Sequence, residues 1–262
     1  MQEIIITTVV IGVIGLIIGI ALVAAGKKFY VAVDEKAIAV RECLPGNNCG
    51  ACGYAGCDAV AAAIAAGDAP ANACPVCSAD AVAKIGGIMG VEAEAAQRKT
   101  AQVKCSGDCE HTSAKCNYVG IEDCRAAALA GLNIGSCTFG CLGYGSCVKV
   151  CTYDAIHVVN GVAKVDTSKC VGCGMCAKAC PKGLIDVVRA DRTFVVQCSN
   201  KDRGPAVKKV CSAGCLGCGA CVKQCEHDAI HVEGNLAYID YDKCVGCGKC
   251  AEKCPAKNIV RQ

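Results

Sequence analysis

Cys170-Val-Gly-Cys173-Gly-Met-Cys176-Ala-Lys-Ala-Cys180-Pro181 decides how this chain folds, and Cys244-Val-Gly-Cys247-Gly-Lys-Cys250-Ala-Glu-Lys-Cys254-Pro255 repeats it near the C-terminus. Three cysteines at successive spacings of three wrap one corner of a cube, and a fourth, followed by proline, is left for a neighbouring site. A structural zinc ion would instead want two C-x2-C pairs separated by roughly a dozen residues. The two runs therefore point to [4Fe–4S] clusters. They lie 74 positions apart, and the same offset reaches well beyond them. Cys124, Cys137, Cys141, Cys147 and Cys151 recur as Cys198, Cys211, Cys215, Cys221 and Cys225, and Asp154-Ala-Ile-His-Val recurs from Asp228. Only Cys218 lacks a counterpart, because position 144 is Tyr. A duplicated unit explains the pattern.

In the bacterial ferredoxin arrangement the fourth cysteine of a run ligates the other cluster of a pair. That rule assigns Cys215, Cys218, Cys221 and Cys254 to one cluster of the second repeat. Cys225, Cys244, Cys247 and Cys250 hold the other. In the first repeat Cys151 joins Cys170, Cys173 and Cys176. Tyr144 breaks the pattern of the remaining cluster, for which the spacing offers Cys137, Cys141, Cys147 and Cys180. Between the runs, Ile156–Val159 and Val162–Val165 flank Asn160-Gly161, a two-residue hairpin signal, and Ile230–Glu233 and Leu236–Ile239 flank Gly234-Asn235. Two tandem α+β, bacterial-type dicluster ferredoxin domains are expected, over 124–190 and 191–262.

The N-terminal part reads differently. Residues 4–26 are free of charge and rich in Ile, Val, Leu and Gly, long enough as a helix to cross a hydrocarbon core. Glu3 precedes the stretch and Lys27 and Lys28 follow it. A signal peptide would carry its basic residues first, so the pattern predicts one transmembrane helix over 1–28, with the bulk of the chain cytoplasmic. A connector, 29–41, leads to Leu44-Pro-Gly-Asn-Asn-Cys49-Gly-Ala-Cys52-Gly-Tyr-Ala-Gly-Cys57-Asp, closed by Cys74-Pro75. Asp58 is placed to cap an Ala-rich helix over 59–66 that Gly67 stops, making 29–78 a small α-helical domain. By spacing alone its four cysteines suit zinc or an iron–sulfur cluster. Residues 79–123 read as a linker, with Ser78 or Asp80 capping a helix, and with cysteines resuming at Cys105.

The whole chain has 262 residues, 28 of them Cys, and 27 Lys/Arg against 24 Asp/Glu. A chain this long can bury a core without fourteen disulfides, and the reducing cytoplasm keeps thiols free for metal. The near-balanced charge excludes a basic nucleic-acid-binding domain. No G-x-G-x-x-G lies between a strand and a helix, so no NAD site is evident, and no motif suggests flavin. The histidines call for no catalytic role: His157 and His231 read as packed strand residues, His111 and His227 as exposed. Five clusters take 20 cysteines and leave Cys43, Cys77, Cys105, Cys109, Cys116, Cys124, Cys198 and Cys211. A sixth cluster drawn from these stays open. One set is Cys105, Cys109, Cys116 and Cys124; another is Cys124, Cys198 and Cys211 with Cys105, since Val-x-Cys-Ser occurs at both Cys105 and Cys198.

The apolar N-terminus, the LPGNNCGACGYAGC…CP segment and the paired ferredoxin runs together resemble the RnfB-type component of the Rnf electron-transport complex, over the whole chain. The resemblance implies a membrane complex that oxidises reduced ferredoxin, reduces NAD+ and pumps Na+ or H+. This component would receive the ferredoxin electrons, beside other Rnf-type membrane subunits. It also implies that Cys49, Cys52, Cys57 and Cys74 ligate a [4Fe–4S] cluster. Two competing readings are a membrane-anchored reducer of an iron–sulfur transcriptional regulator and a non-redox zinc-binding scaffold.

Overall fold

The computed structural model describes residues 2–28, 34–94, 97–131 and 135–262. Helix α1, Gln2–Lys28, closes on the basic pair Lys27 and Lys28. The N-terminal membrane span expected from the sequence is corrected: among the described residues no helix is long and apolar enough to cross a membrane. Within α1 side chains are described only at Ile6 and from Gly12 onward. The beginning of the expected connector, 29–33, lies outside the described residues.

Three helices build the unit that follows. Asp34 caps α2, Glu35–Cys43, by accepting the Lys36 N–H at 2.9 Å. The chain then loops to α3, Cys57–Ala66, and α4, Ala79–Met89. Glycines end both, Gly67 at φ 84° and Gly90 at φ 69°, the left-handed geometry that costs other residues most. Ser78 caps α4 through the Ala81 N–H, as the sequence suggests. Asp58 does not cap α3: Gly56 holds the cap position, and Asp58 instead accepts Arg41 Nε at 2.8 Å, tying α2 to α3. Val40, Val60, Ile64 and Ile85 fill the interior.

The rest of the chain is the duplicated unit. Each copy holds two two-stranded antiparallel sheets. In the first copy, β2 (Ile156–Val159) pairs with β3 (Val162–Val165), and β1 (Lys99–Val103) pairs with β4 (Ile185–Arg189). In the second, β6 (Ile230–Glu233) pairs with β7 (Leu236–Ile239), and β5 (Phe194–Val196) with β8 (Ile259–Arg261). Both hairpins turn where expected. Asn160 and Gly161 have φ of 50° and 79°, and Gly234 and Asn235 have 53° and 64°, as a two-residue turn of matching twist requires. Short helices carry the cysteine runs: α5 (Cys124–Leu129), α6 (Ser146–Lys149), α7 (Met175–Ala179), α8 (Gly204–Val210), α9 (Ala220–Lys223) and α10 (Lys249–Glu252). Cysteines and small aliphatics share each core, around Ile156 and Ile185 in one copy and Ile230, Ile239 and Ile259 in the other.

Strand β1 lies inside the stretch the sequence leaves as linker, and its pairing with β4 draws 99–103 into the first copy. It also realigns the copies. Val103 faces Ile185 and Val196 faces Ile259, so Val103-Lys-Cys105-Ser matches Val196-Gln-Cys198-Ser. Cys105, rather than Cys124, is the structural counterpart of Cys198. The residues between Cys105 and Cys124 are an insertion peculiar to the first copy.

Candidate iron–sulfur sites

Thiols gather around cavities, three of which are lined by four each. Cys215, Cys218, Cys221 and Cys254 line one, and Cys225, Cys244, Cys247 and Cys250 line another. These are the two sets the ferredoxin rule names for the second repeat. In the first repeat, Cys170 and Cys176 are buried together with Cys151 packed against them. Cys173 lies near enough for the charges of Cys151 and Cys170 to act on it. The inner cavity of that repeat is lined by Cys141, Cys147 and Cys180, and its fourth thiol is Cys124. Cys137, which the spacing offered for this set, lines a different cavity with Cys105, Cys198 and Cys211.

Cys124 comes to this place through its helix. Asp123 caps α5, accepting the N–H groups of Arg125 and Ala126 and the Ser146 hydroxyl at 2.7 Å, and Ser146 Oγ accepts the Cys124 N–H at 2.8 Å. The thiol therefore stands against α6, which carries Cys147. Tyr144, which occupies the position of Cys218, faces Tyr118 of the insertion, ring centroids 5.4 Å apart.

Sulfur environments repeat with the fold. In each copy the cysteine preceding a turn accepts the backbone N–H four residues on: Ala155 to Cys151 at 3.4 Å, Ala229 to Cys225 at 3.3 Å, Leu184 to Cys180 at 3.5 Å and Asn258 to Cys254 at 3.4 Å. Such N–H···S bonds stabilise negative charge on sulfur and tune a metal centre. Burial pushes the thiols up, Cys147 to about 12 and Cys176 and Cys221 to about 11, with neighbouring thiols adding to the effect. A thiolate in such a place needs a metal to take its charge. Among the described residues no three His, Cys, Asp or Glu side chains converge closely enough to hold a single ion. Zinc draws its sulfurs to about 2.3 Å, whereas a cube holds its four thiolates apart at its corners. Four thiols spread around a cavity with N–H donors behind them fit the cube.

In the N-terminal unit, Cys57 opens α3 with its N–H on Asn48 Oδ1 at 2.7 Å, and the turn after Gly67 returns the chain to Cys74. Cys77 donates to Cys74, holding Cys74 down at about 6 and its own thiol well above the ordinary range. Asn47 Nδ2 donates to the Tyr153 hydroxyl, so this unit docks on the first ferredoxin copy. Burial raises Tyr153, and the nearby thiols Cys49, Cys173 and Cys74 act in the same direction. Tyr153 thus lies near both the N-terminal cysteines and the outer set of the first repeat. His111 and His227 are exposed as expected, but His157 is exposed too, beside Asp154, rather than packed.

Fold and sites together define a ferredoxin-type iron–sulfur protein with an additional N-terminal cysteine unit. Comparison with known families agrees. A family described as "Putative Fe-S cluster" matches residues 44–76, "4Fe-4S binding domain" matches 163–186, and "4Fe-4S dicluster domain" matches 214–258. The chain is 46% identical to the RnfB-type component of the Na(+)-translocating ferredoxin:NAD(+) oxidoreductase complex of Acetobacterium woodii, over 89% of this chain and 71% of that one. It is 40% identical to the corresponding component of the proton-translocating ferredoxin:NAD(+) oxidoreductase complex of Clostridium ljungdahlii, over 92% and 85%. With its equivalent in the ion-translocating oxidoreductase complex of Methanosarcina acetivorans it shares 38% over 94% of each. The chain belongs to the RnfB-type family of ion-translocating oxidoreductase complex subunits.

Proposed function

We propose that this chain is the electron-transfer subunit of an ion-translocating ferredoxin:NAD+ oxidoreductase, receiving electrons from reduced ferredoxin and passing them along a row of [4Fe–4S] clusters. The observation that carries it is the grouping of cysteines by fours around three separate cavities of the two ferredoxin copies, beside the N-terminal unit that holds Cys49, Cys52, Cys57 and Cys74. The complex works at a membrane, since ion translocation needs one, and other subunits of the same complex are the partners.

Five ligand sets follow from the cavities and the sequence runs. They are Cys49, Cys52, Cys57 and Cys74; Cys151, Cys170, Cys173 and Cys176; Cys124, Cys141, Cys147 and Cys180; Cys215, Cys218, Cys221 and Cys254; and Cys225, Cys244, Cys247 and Cys250. When bound, each cluster would supply reversible one-electron chemistry. The protein contributes thiolates, N–H groups aimed at sulfur and a dry surround, the levers that set a cluster's potential. Tyr153 and Asn47 hold the N-terminal unit against the outer set of the first repeat, which gives electrons a short way in or out at that end.

The test is made on the complex in membrane vesicles prepared without oxygen. Reduced ferredoxin should drive NADH formation, and a vesicle preparation with Cys173→Ser in this chain should lose most of that rate. Iron and acid-labile sulfide on the purified chain should reach about 20 atoms or more. Fewer than about twelve irons per chain, or ferredoxin that stays reduced in the presence of NAD+, overturns the reading.

A further inference from the structure

We propose that Cys105 and Cys137 of the first repeat and Cys198 and Cys211 of the second hold a further [4Fe–4S] cluster at the junction between the two ferredoxin units. The inference rests on reading the other cysteine cavities as cluster sites and adds one that neither repeat could make alone. All four thiols line one cavity, which Cys141 of the first repeat's inner set also borders. Counting the part open to solvent, its atom-free space is about 440 Å³, beside about 360, 410 and 380 Å³ for the three cysteine cavities within the repeats.

The sulfurs converge. A Cβ placed on Gly107 would stand 3.3 Å from Cys211 Sγ and 3.7 Å from Cys105 Sγ, so two thiols from different repeats flank one glycine. Cys137 lies close enough to Cys105, Cys198 and Cys211 for their charges to interact. The N–H groups are also in place. Cys198 Sγ accepts from the Cys215 N–H at 3.3 Å and the Asn200 N–H at 3.4 Å. Cys105 Sγ accepts the Cys141 N–H at 3.5 Å, and the buried Asn200 amide donates to Cys137 Sγ at 3.4 Å. Spare buried thiols would need no such donors.

The arrangement is quasi-symmetric. Strand pairing makes Cys105 the counterpart of Cys198, and the 74-residue offset makes Cys137 the counterpart of Cys211. The bonds Cys141 N–H to Cys105 and Cys215 N–H to Cys198 are equivalent, since the offset matches the donors and the strand pairing matches the acceptors. Each ties a ligand of a repeat's inner set directly to a ligand of the junction. Cross-links seal the junction around it: Ser106 Oγ donates to Gln197 Oε1 at 2.7 Å, Ser199 Oγ to the Phe139 carbonyl at 3.1 Å, and Thr112 Oγ1 to the Val210 carbonyl at 2.9 Å.

The experiment uses the full chain purified without oxygen, with iron and sulfide analysis and electron paramagnetic resonance of the reduced protein. Cys105→Ser and Cys211→Ser lie on different repeats. Each should lose about four irons and the same spectral component, while Cys109→Ser, at an exposed thiol, should lose none. Unchanged iron in both, zinc in place of iron, or loss of different components by the two variants would overturn the proposal. Collapse of one repeat gives that last result, because it removes that repeat's own signals. Cys218→Ser separates the two readings: if it loses iron while the junction variants do not, only the junction cluster fails. If it too is unchanged, the cluster assignment of the repeats fails with it.

Discussion

The two ferredoxin copies close the same fold with different means of completing the inner site. In the second, Cys215, Cys218 and Cys221 come from one compact run, and Cys254 arrives from the far end of the repeat. In the first, Tyr144 stands where Cys218 would be, and Cys124 reaches the same cavity from an inserted segment capped by Asp123 and braced by Ser146. The cavity keeps its form while one of its four donors changes address. A ligand set of this kind is thus defined by where thiols meet in space. A helix cap and one hydroxyl suffice to bring a substitute thiol into the cavity.

The sharpest way to break this comparison is to move the donor back. Cys124→Ser should cost about four irons from the first repeat, and adding Tyr144→Cys, which restores the second repeat's spacing, should return most of them. Iron content and the reduced-state spectrum read both steps. No recovery in the double variant would mean that the two inner sites are not equivalent in the way the backbone indicates.

A smaller effect tests the shared framework. Gly143 and Gly217 occupy matching turns at φ 77° and 63°, and a Cβ on either would stand 2.7 Å from a hairpin carbonyl, Gly161 O in one copy and Asn235 O in the other. Gly143→Ala and Gly217→Ala should each destabilise the protein by about 1–3 kcal/mol, seen as a fall in the denaturation midpoint. A large difference between the two would show that the insertion braces the first copy more than its hydrogen bonds suggest.

The smallest effect is one of pH. Asp123 is held below the usual carboxylate range first by the Ser146 hydroxyl, then by the N–H groups of α5 and by Lys149. A carboxyl whose folded-state value is depressed stabilises the fold above the ordinary carboxylate range and loses that contribution as pH falls through the depressed value. Retention of the Cys124 cluster should therefore weaken on acidification below about pH 4. In Asp123→Asn that dependence should flatten. Asp123 lies in the insertion peculiar to the first copy, so the second repeat's inner cluster should show no matching change.

Much of this was legible in the cysteine spacing. The runs at Cys170 and Cys244 require a local wrap that sequence alone specifies, and the Asn160-Gly161 and Gly234-Asn235 turns are set by which residues tolerate positive φ. The partition of Cys124 and Cys137 was not legible, because it depends on long-range strand pairing. The constant offset of 74 set Cys124 against Cys198, while β1 and β5, pairing with β4 and β8, set Cys105 there instead. The phrase Val-x-Cys-Ser at both positions was the available signal. Strand β1 itself was hidden by its short length, and the capping role expected of Asp58 was lost because the helix starts earlier, at Cys57, with Gly56 as its cap.

Each copy begins with a strand that pairs with its own last strand, β1 with β4 and β5 with β8. Entry and exit therefore lie side by side, like the two ends of a buckle. A unit closed in this manner can be copied end to end without unpicking its neighbour, which makes tandem growth by duplication geometrically undemanding. What the second copy adds is more than a second pair of sites. The thiols Cys105 and Cys137, idle in a solitary unit, find their complement only when a sibling abuts them. Lengthening such a chain by one module therefore creates a new meeting place at every seam.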